Sequence, residues 1–364
     1  MSKQLSNFSR WLKEENYSCG FINSIANVFY FSNFYCDPHE RLLGVMIFPE
    51  DTPLVVCPEM ERERVRDAGW EHEIIGYTDI QNPWELMREH AERAVGAKPV
   101  IAVEKDFLPM NRAEALMGIF PGATLVAADA KIAALRNIKN EVEIESMRKA
   151  ARLADKAIET AAGLLTEGVT ELEVTAEVEH QMRKLGAPMA FSTIMLFGPR
   201  SAYAHGVPGD AKLKPGDQIL IDLGVVYNGY CSDITRTFAY KYAKPEFQKM
   251  YDVTLEAQLA AVEACKPGNK IGAVDQASRE IIVRAGYGDY CGLRVGHGIG
   301  IEVHEYPSMT SDNEALLQPG MTFTVEPGLN ILGTGGVRIE DDVLITETGY
   351  ELLNKFPKEL KILG

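Results

Sequence analysis

The sequence contains no concentration of positive charge. Its 364 residues include 52 Asp and Glu against 37 Lys and Arg, which gives a formal net charge of -15 at pH 7. Proteins that bind nucleic acid gather Lys and Arg on one surface to contact phosphates, and anionic membrane surfaces attract the same kind of cluster. We therefore expect neither nucleic acid nor a membrane as a partner.

Long apolar runs are missing as well. Residues 1–18 lack the apolar core of a secretory signal, and no later apolar run approaches the roughly 20 residues of a membrane-spanning helix. We therefore predict a cytoplasmic protein. An apolar content of 46% with 24% charged residues is typical of a globular protein, and a chain of this length predicts two domains.

The cysteines show no spacing that indicates a shared role. No C-x-x-C pair occurs, so neither a disulfide framework nor a zinc-thiolate site is indicated. We interpret the cysteines as small buried thiols. They are Cys19, Cys36, Cys57, Cys231, Cys265 and Cys291.

The first part of the chain, residues 1–132, alternates short apolar runs with amphipathic stretches, which predicts an α/β domain. It has no glycine-rich phosphate loop, no nucleophile elbow and no paired metal-ligand motif, so by itself it indicates no function. The predicted helices cover residues 59–68, 83–95 and 111–119. The predicted strands cover residues 19–22, 28–31, 42–48, 54–57, 100–103 and 124–128.

The second part, residues 133–364, opens with an amphipathic helix to about residue 165 and then repeats itself. Residues 213–224 align without gaps on residues 317–328, and each segment is a Pro-Gly turn, an apolar strand, a carboxylate and a glycine. Upstream, glycines at 168 and 186 and at 268 and 286 bracket helical stretches of equal length. Chance similarity between turn-strand segments is the alternative, but the coincidence of Asp222 with Glu326 favours a repeat.

The first of these segments predicts a hairpin. Asp222 lies in the apolar run 219–226, which is typical of a strand buried on both faces. Asn228-Gly229 predicts a two-residue turn, in which Tyr227 faces Tyr230 and Asp222 faces Thr235.

In that register Asp222 and Asp233 are diagonal neighbours on one face, with β-carbons roughly 7–8 Å apart or less. Asp233 alone could instead pair with Arg236. Two carboxylates so close in a core would force one to stay protonated unless a cation were bound, so the pair favours a cation site.

The second segment supplies further candidates. His297 lies between glycines, which leaves room for a ligand beside the backbone, and a neutral imidazole can bind a metal. Glu326 ends a buried strand, and by the repeat we assign Glu340 the part that Asp233 plays in the first segment. The neighbouring residues Asp341 and Asp342 are predicted to face solvent.

Together these side chains form an oxygen-rich ligand set with one nitrogen. Such a set suits Mn(II), Co(II), Fe(II) or Zn(II). A structural calcium site is the alternative, and the histidine and the lack of a contiguous Asp/Asn-rich loop disfavour it. The candidate ligands are Asp222, Asp233, His297, Glu326 and Glu340.

At these residues the sequence resembles the prolidase and aminopeptidase P family of metallopeptidases. The resemblance covers most of the chain, and its most specific part lies between about Asn140 and Glu340. It implies a two-domain α/β protein, with a creatinase/prolidase-like N-terminal domain at 1–132 and an α+β pita-bread catalytic domain at 133–364. It further implies two divalent metal ions, with Mn(II) or Co(II) favoured, and a homodimer that acts on small peptides.

The resemblance also assigns roles to the metal ligands. Asp222 would bind one metal, His297 and Glu326 the other, and Asp233 and Glu340 would bridge them. The implied reaction is hydrolysis of an Xaa-Pro bond by a hydroxide that bridges the metals.

Other roles follow from the same resemblance. Glu326 would pass a proton to the leaving amine. His205 and His304 would contact substrate and stabilise the tetrahedral intermediate. Arg338 would orient a ligand carboxylate.

Three positions depart from the family pattern where substrate would be bound. Many relatives have Pro where this chain has Ala204, and prolidases often have His where it has Leu293. No arginine lies between Met309 and Arg338, so the group that would bind the carboxylate of a dipeptide is not identified by sequence.

Several alternatives share the pita-bread fold. They are a creatinase-like hydrolase of a small C–N compound, a methionine aminopeptidase, a lyase or hydrolase of another metabolite, and a non-catalytic binding protein. The creatinase-like and non-catalytic types would be expected to have lost metal ligands, and none is lost here. Methionine aminopeptidases usually lack a domain like residues 1–130.

Overall fold

The structure is a computed structural model that describes residues 2–364, without the side chain of Arg93. Contacts divide the chain into two compact units, one ending at Arg136 and one formed by Asn137–Gly364. The predicted boundary between residues 132 and 133 falls inside the helix Asp129–Asn137. Within residues 2–364, none of the helices has both the length and the apolar character needed to cross a bilayer.

The first unit is a six-stranded mixed sheet with helices on both faces. Its strands are β1 (Cys19–Ile22), β2 (Gly44–Ile47), β3 (Leu54–Pro58), β4 (Glu73–Tyr77), β5 (Val100–Val103) and β6 (Thr124–Ala127). Its helices are α1 (Lys3–Glu14), α2 (Ile25–Ser32), α3 (Arg62–Asp67), α4 (Pro83–Val95), α5 (Met110–Ile119) and α6 (Asp129–Asn137). The strand order is β4-β3-β2-β1-β5-β6, and only β1–β2 and β2–β3 are antiparallel.

The alternation of strand side chains explains why this sheet is covered twice. Val45 and Ile47 pack into one apolar cluster with α1 and α2, whereas Met46 packs into another with α4 and α5. Successive strand residues point to opposite faces, and both faces are apolar here. The α/β prediction for this part of the chain is confirmed.

Residues 28–31 were predicted to form a strand, and this prediction is wrong. They lie in α2, where an apolar run of β-forming residues carries no periodicity that separates a buried strand from a buried helix. The capping residues at the two ends of α2 favour a helix. The Ser24 hydroxyl accepts a hydrogen bond from the Asn27 N–H, and Asn33 terminates the helix with a φ of 60°. Both are established helix-capping arrangements. Helices α1 and α6 and strand β4 were not predicted.

The second unit contains two larger sheets and four long helices. The helices are α7 (Glu141–Leu164), α8 (Glu171–Lys184), α9 (Pro245–Glu263) and α10 (Ile271–Arg284). One sheet has the order β19-β11-β8-β7, formed by β7 (Ile194–Phe197), β8 (Gln218–Leu223), β11 (Ile234–Tyr240) and β19 (Ile362–Leu363). The other has the order β13-β12-β14-β17-β18, formed by β12 (His297–Gly298), β13 (Glu305–Ser308), β14 (Thr322–Val325), β17 (Asp341–Ile345) and β18 (Tyr350–Leu352). Two short pairs complete the set: β9 (Val226–Tyr227) with β10 (Tyr230–Cys231), and β15 (Gly328–Ile331) with β16 (Gly335–Arg338).

Backbone hydrogen bonds confirm the repeat in this unit. The N–H of Gly168 donates to the carbonyl of Leu213 at 2.9 Å, and the N–H of Gly268 donates to the carbonyl of Leu317 at 2.9 Å. The helices that follow these glycines, α8 and α10, each have 14 residues. The same helix-to-strand connection has therefore been built twice.

The first hairpin has the predicted register. Asn228 and Gly229 have φ values of 50° and 78°, as a type I′ turn requires. Tyr227 pairs with Tyr230, and Asp222 pairs with Thr235.

The second hairpin, whose register the sequence left open, differs from the expectation. Gly328 pairs with Arg338 and Val325 pairs with Asp341, so the intervening residues Glu326 and Glu340 lie opposite each other. Glu340 thus occupies the place that Thr235 has opposite Asp222. Glu340 and Asp233 are therefore not equivalent positions of the repeat, because the two hairpins carry their second carboxylate at different points of the return strand; that Glu340 plays the part of Asp233 at the metals stays a prediction.

Gly224 supplies a test of this hairpin. A β-carbon at Gly224 would lie 1.9 Å from the carbonyl oxygen of Ser232, whereas one at Gly163 in α7 meets nothing within 4 Å. We expect Gly224→Ala to lower the free energy of unfolding by about 1–3 kcal/mol because the return strand must shift. Gly163→Ala, the matched control, should be neutral or stabilising by up to about 1 kcal/mol. Chemical denaturation measures both, and equal midpoints for the two variants would contradict the close approach.

Candidate metal centre

The ends of the strands bring the predicted ligands together. Asp222 lies near the end of β8, and Asp233 directly precedes β11. His297 opens β12, Glu326 directly follows β14, and Glu340 lies between β16 and β17. The ligand set is therefore contributed by both sheets of the second unit.

These side chains are buried with some of their oxygens unsatisfied. Asp222 is 8% exposed, Asp233 4% and Glu340 1%. One carboxylate oxygen of each has no hydrogen-bond partner in the described part of the chain: Asp222 Oδ1, Asp233 Oδ1 and Glu340 Oε1. An ionised oxygen removed from water without a partner is strongly unfavourable, so the arrangement favours a cation at these atoms.

Burial and mutual repulsion shift the acid-base equilibria of the cluster. Burial raises the pKa of Asp233 well above its ordinary value, and Glu340 and Asp222 raise it further. Burial raises the pKa of Glu340 in the same way, reinforced by Glu326 and Asp222. Burial likewise raises the pKa of Asp222, although Arg338 opposes it.

Glu326 differs from the other carboxylates. Burial raises its pKa, but a contact of 3.2 Å between its Oε1 and Nε2 of His297, together with the charge of Arg338, brings the pKa below its ordinary value. The hydroxyl of Thr324 donates to the same carboxylate at 3.2 Å and accepts the backbone N–H of His297 at 3.1 Å. Thr324 therefore ties Glu326 and His297 together.

Arg338 contacts two sides of the cluster. Its Nη2 donates to Oδ2 of Asp222, and its Nε donates to the hydroxyl of Thr235 at 3.1 Å. That hydroxyl in turn donates to Oε2 of Glu340 at 2.6 Å. The arginine thus orients one carboxylate directly and another through a threonine. Sequence reasoning did not include Thr235 in the site, although its register opposite Asp222 could have indicated it.

Asp341 and Asp342 are fully buried, so the prediction that they face solvent is wrong. Asp341 accepts hydrogen bonds from Arg236 at 2.7 Å and from Lys358 at 2.6 Å. Asp342 accepts the backbone N–H of Asp233 at 3.0 Å. The three acidic residues 340–342 resemble a solvated turn in sequence, but β17 lies between β14 and β18 and has no free edge. Asp342 is therefore a residue that positions Asp233.

The two other predicted histidines, His205 and His304, are more exposed than His297. The ring centroids of His297 and His304 are 4.0 Å apart. Desolvation by the surrounding protein, with smaller contributions from His297, Arg294 and the nearby His205, lowers the pKa of His304 to about 4. Both His304 and His205 are exposed, so they can meet a molecule that approaches the cluster from solvent.

The residues present fit divalent cations. Asp233, His297 and Glu340 each offer a ligand atom, and these atoms lie within 4.8 Å of one another. Oxygen donors with a single imidazole match first-row divalent metals, and the unpartnered oxygens of Asp222, Asp233 and Glu340 are the atoms that such ions would satisfy.

We expect a divalent cation to stabilise the protein more at neutral than at acidic pH. Because folding raises the pKa values of Asp222, Asp233 and Glu340, the cation-free protein loses stability as pH rises from about 4 through the raised values. The lowered pKa of Glu326 makes the opposite contribution to the pH dependence of stability, but the three raised pKa values outweigh it. Mn(II) should therefore raise Tm by several degrees at about pH 7.5 and by much less at about pH 5, where protons compete for the ligands.

Thermal unfolding with Mn(II), and with EDTA as the metal-free reference, measures this difference. Asp233→Asn should reduce the shift, whereas the exposed Glu347→Gln should retain it. An equal shift at both pH values, or no shift at either, would contradict the cation site.

Comparisons with known proteins identify the family of each part of the chain. Residues 145–347 match the model of metallopeptidase family M24, and residues 4–138 match that of the creatinase/prolidase N-terminal domain. The Bacillus subtilis protein YkvY is 49% identical over 361 residues, which is 99% of each chain.

Two solved structures are similar over nearly the whole chain. An Xaa-Pro dipeptidase from Bacillus anthracis has a TM-score of 0.92 at 33% identity, with 99% of each chain covered. An X-Pro aminopeptidase from Thermotoga maritima MSB8 has a TM-score of 0.87 at 30% identity, with 96% of this chain and 98% of that one covered. The resemblance noted in the sequence is confirmed. The chain belongs to metallopeptidase family M24 and combines a creatinase/prolidase N-terminal domain with a pita-bread catalytic domain.

Proposed function

We propose that this chain is a dinuclear-metal peptidase that hydrolyses Xaa-Pro bonds. The observation that carries the proposal is the set of buried carboxylate oxygens without donors from the described chain, of which Asp233 and Glu340 lie in one group with His297. The choice of bond is supported by the similarity to the B. anthracis dipeptidase and the T. maritima aminopeptidase, whose names state that specificity.

The ligands divide between two cations. Asp222 would hold one, His297 and Glu326 the other, and Asp233 and Glu340 would contact both. Mn(II) or Co(II) is favoured over Zn(II) or Fe(II) by the resemblance to prolidases. Such ions supply a water of lowered pKa and polarise the scissile carbonyl.

Glu326 is the candidate for proton transfer. Its side chain is 23% exposed, compared with 11% for Asp222 and 6% for Asp233, so it is the most accessible of these three carboxylates. Its lowered pKa keeps it ionised and able to accept a proton at neutral pH. The proton would then pass to the leaving proline nitrogen.

The exposed histidines His304 and His205 would act on the oxygen of the scissile carbonyl. A pKa of about 4 keeps His304 neutral at physiological pH, so that one ring N–H can donate to the oxygen on which negative charge develops. His205, in the segment between β7 and β8, would contribute a further contact. Arg338 would take no part in bond making and would hold Asp222 in place.

Two other functions on the same fold remain as alternatives, because a fold does not determine an activity. A creatinase-like or other small-molecule hydrolase would cleave a C–N bond without releasing proline. A non-catalytic binding protein would release nothing. The homodimer is proposed from the family resemblance, and the cytoplasmic location stays a prediction from the sequence.

The first test is release of proline. The protein loaded with Mn(II) or Co(II) should liberate free proline from Xaa-Pro dipeptides, and a chelator should abolish the reaction, because the proposed chemistry depends on the cations. Amino-acid analysis over a dipeptide panel, with Xaa-Ala peptides as the comparison, measures this. If no proline appears from any substrate with either metal, the proposed function is rejected.

The second test separates chemistry from folding. Glu326→Gln keeps the shape of the side chain but removes the proton acceptor, so kcat should fall by about 100-fold or more while Tm changes little. Glu347→Gln, an exposed glutamate in the turn after β17, is the control and should retain full activity. A Glu326→Gln variant with near-native kcat would show that another group moves the proton.

A further inference from the structure

Glu171 is a fully buried glutamate that its own helix does not require. It is the first residue of α8, and its side chain has 0% exposed surface. Other residues cap this helix: the Thr170 hydroxyl accepts the N–H of Glu173 at 3.1 Å, and the Glu173 carboxylate accepts the N–H of Thr170 at 2.8 Å. A buried ion pair is often no more stabilising than well-packed apolar residues in its place. The stability of α8 therefore does not explain Glu171.

The carboxylate of Glu171 connects the two ends of one loop, residues 198–209, which we call the His205 loop. Its Oε1 accepts the backbone N–H of Phe197, directly before the loop, at 2.8 Å. Its Oε2 accepts the N–H of Gly209, the last residue of the loop, also at 2.8 Å. Hydrogen bonds to a carboxylate are stronger than those between neutral groups, so one side chain closes the base of the loop.

Arg200 connects the interior of the His205 loop to the same carboxylate. Its Nε lies 3.0 Å from Oε1 and 3.1 Å from Oε2 of Glu171. Its Nη2 donates to the carbonyl of Val207 at 2.7 Å. The Glu171–Arg200 pair therefore holds the loop on both sides of His205.

Between these contacts the chain forms a tight turn that carries His205. The N–H of Gly206 donates to the carbonyl of Tyr203 at 3.2 Å, so His205 occupies the third position of a β-turn. A β-carbon at Gly206 would lie 2.6 Å from a methyl carbon of Leu196 in β7, which shows how closely the turn packs on the sheet. The His205 imidazole is exposed and forms no hydrogen bond with residues 2–364. Its location therefore depends on the backbone of the turn.

The turn lies beside the candidate metal centre. Nη2 of Arg338, which also holds Asp222, is 3.5 Å from the carbonyl oxygen of Ala204. The pKa of His304 is lowered mainly by desolvation and to a smaller extent by the nearby His205. A displaced turn would move the His205 imidazole relative to a substrate at the cluster, and an error of about 1 Å in the position of a reacting group can cost about 100-fold in rate.

We propose that Glu171 and Arg200 are positioning residues for His205, which they hold where its imidazole meets the carbonyl oxygen of the substrate. The inference rests on the proposed function and extends it to residues outside the metal centre. Groups that are fixed before the substrate arrives stabilise the developing charge without reorganisation. Loss of the Glu171–Arg200 pair should therefore affect the chemical step more than the binding of substrate.

The kinetic test uses Arg200→Gln, which removes the contacts to Glu171 and Val207. The Arg200 side chain is 39% exposed, so we expect the variant to fold. With Mn(II) and Ala-Pro, kcat should fall by about ten- to hundredfold while KM changes by less than about threefold. Arg200→Lys keeps the charge beside Glu171 and should retain part of the activity. An unchanged kcat in Arg200→Gln, or a loss confined to KM, would overturn the assignment.

A double-mutant cycle separates positioning of His205 from general support of the fold. In a His205→Ala background, Arg200→Gln should cause little further loss of kcat, because its effect passes through the missing imidazole. Glu171→Gln keeps the shape of the side chain and should show the same dependence on His205. Equal losses in both backgrounds would show a merely structural role and overturn the proposal.

Arg148→Gln is the matched control. Arg148 also forms two hydrogen bonds to one carboxylate, that of Glu351, and its side chain is 27% exposed. This pair connects α7 with β18 and makes no contact with the His205 loop. Arg148→Gln should therefore keep the kcat of the wild type.

Hydrogen–deuterium exchange distinguishes this inference from the proposed reaction, because it requires no turnover. In the Mn(II)-loaded protein, Arg200→Gln should speed the exchange of amides in residues 198–209 by about tenfold, and Arg148→Gln should leave them unchanged. If the wild type releases no proline but Arg200→Gln loosens the loop, the proposed reaction is rejected and the role of the pair in fixing the turn stands. Unchanged exchange in Arg200→Gln would overturn that role whatever the turnover.

Discussion

The carboxylates of Asp222, Asp233 and Glu340 lie inside the protein, and each keeps one oxygen without a hydrogen-bond donor in the described chain. Desolvation of such groups costs several kcal/mol each unless it is compensated, and their mutual repulsion adds to that cost. Arg338 compensates part of it through Asp222 and Thr235. The two sheets of the catalytic unit hold these side chains together against their repulsion. This arrangement lowers the free energy of unfolding as long as no cation compensates the repulsion.

The internal repeat explains how two similar pieces of chain make an asymmetric site. Both hairpins keep one register along their whole length, and in each the first carboxylate lies near the point where the strands part. The residue opposite it is Thr235 in the first hairpin and Glu340 in the second. Two positions earlier on the return strand, the first hairpin has Asp233 and the second has Arg338. The second repeat therefore contributes Arg338, the positively charged side chain that holds Asp222 of the first repeat.

The parts of this site that sequence could predict depend on local signals. Asn228-Gly229 fixes the turn type and hence the partner of Asp222, and the Pro-Gly turns mark both copies of the repeat. The strand prediction for residues 28–31 was wrong because an apolar run without periodicity does not distinguish a helix from a strand. The capping residues of α2 favour the helix. The predicted solvent exposure of Asp341 and Asp342 was wrong for a different reason. Their burial depends on Arg236 and on the backbone of Asp233, about a hundred residues earlier in the chain.

Charge pairing in the catalytic unit separates structural groups from binding groups. Arg236 and Asp341 are buried together and neutralise each other, which is the condition under which buried charges are tolerated. Within the described residues Asp233 and Glu340 form no such pair with a lysine or an arginine, and one oxygen of each has no hydrogen-bond partner. Buried carboxylate oxygens without a protein partner favour a cation, which is why this cluster differs from the Arg236–Asp341 pair a few residues away.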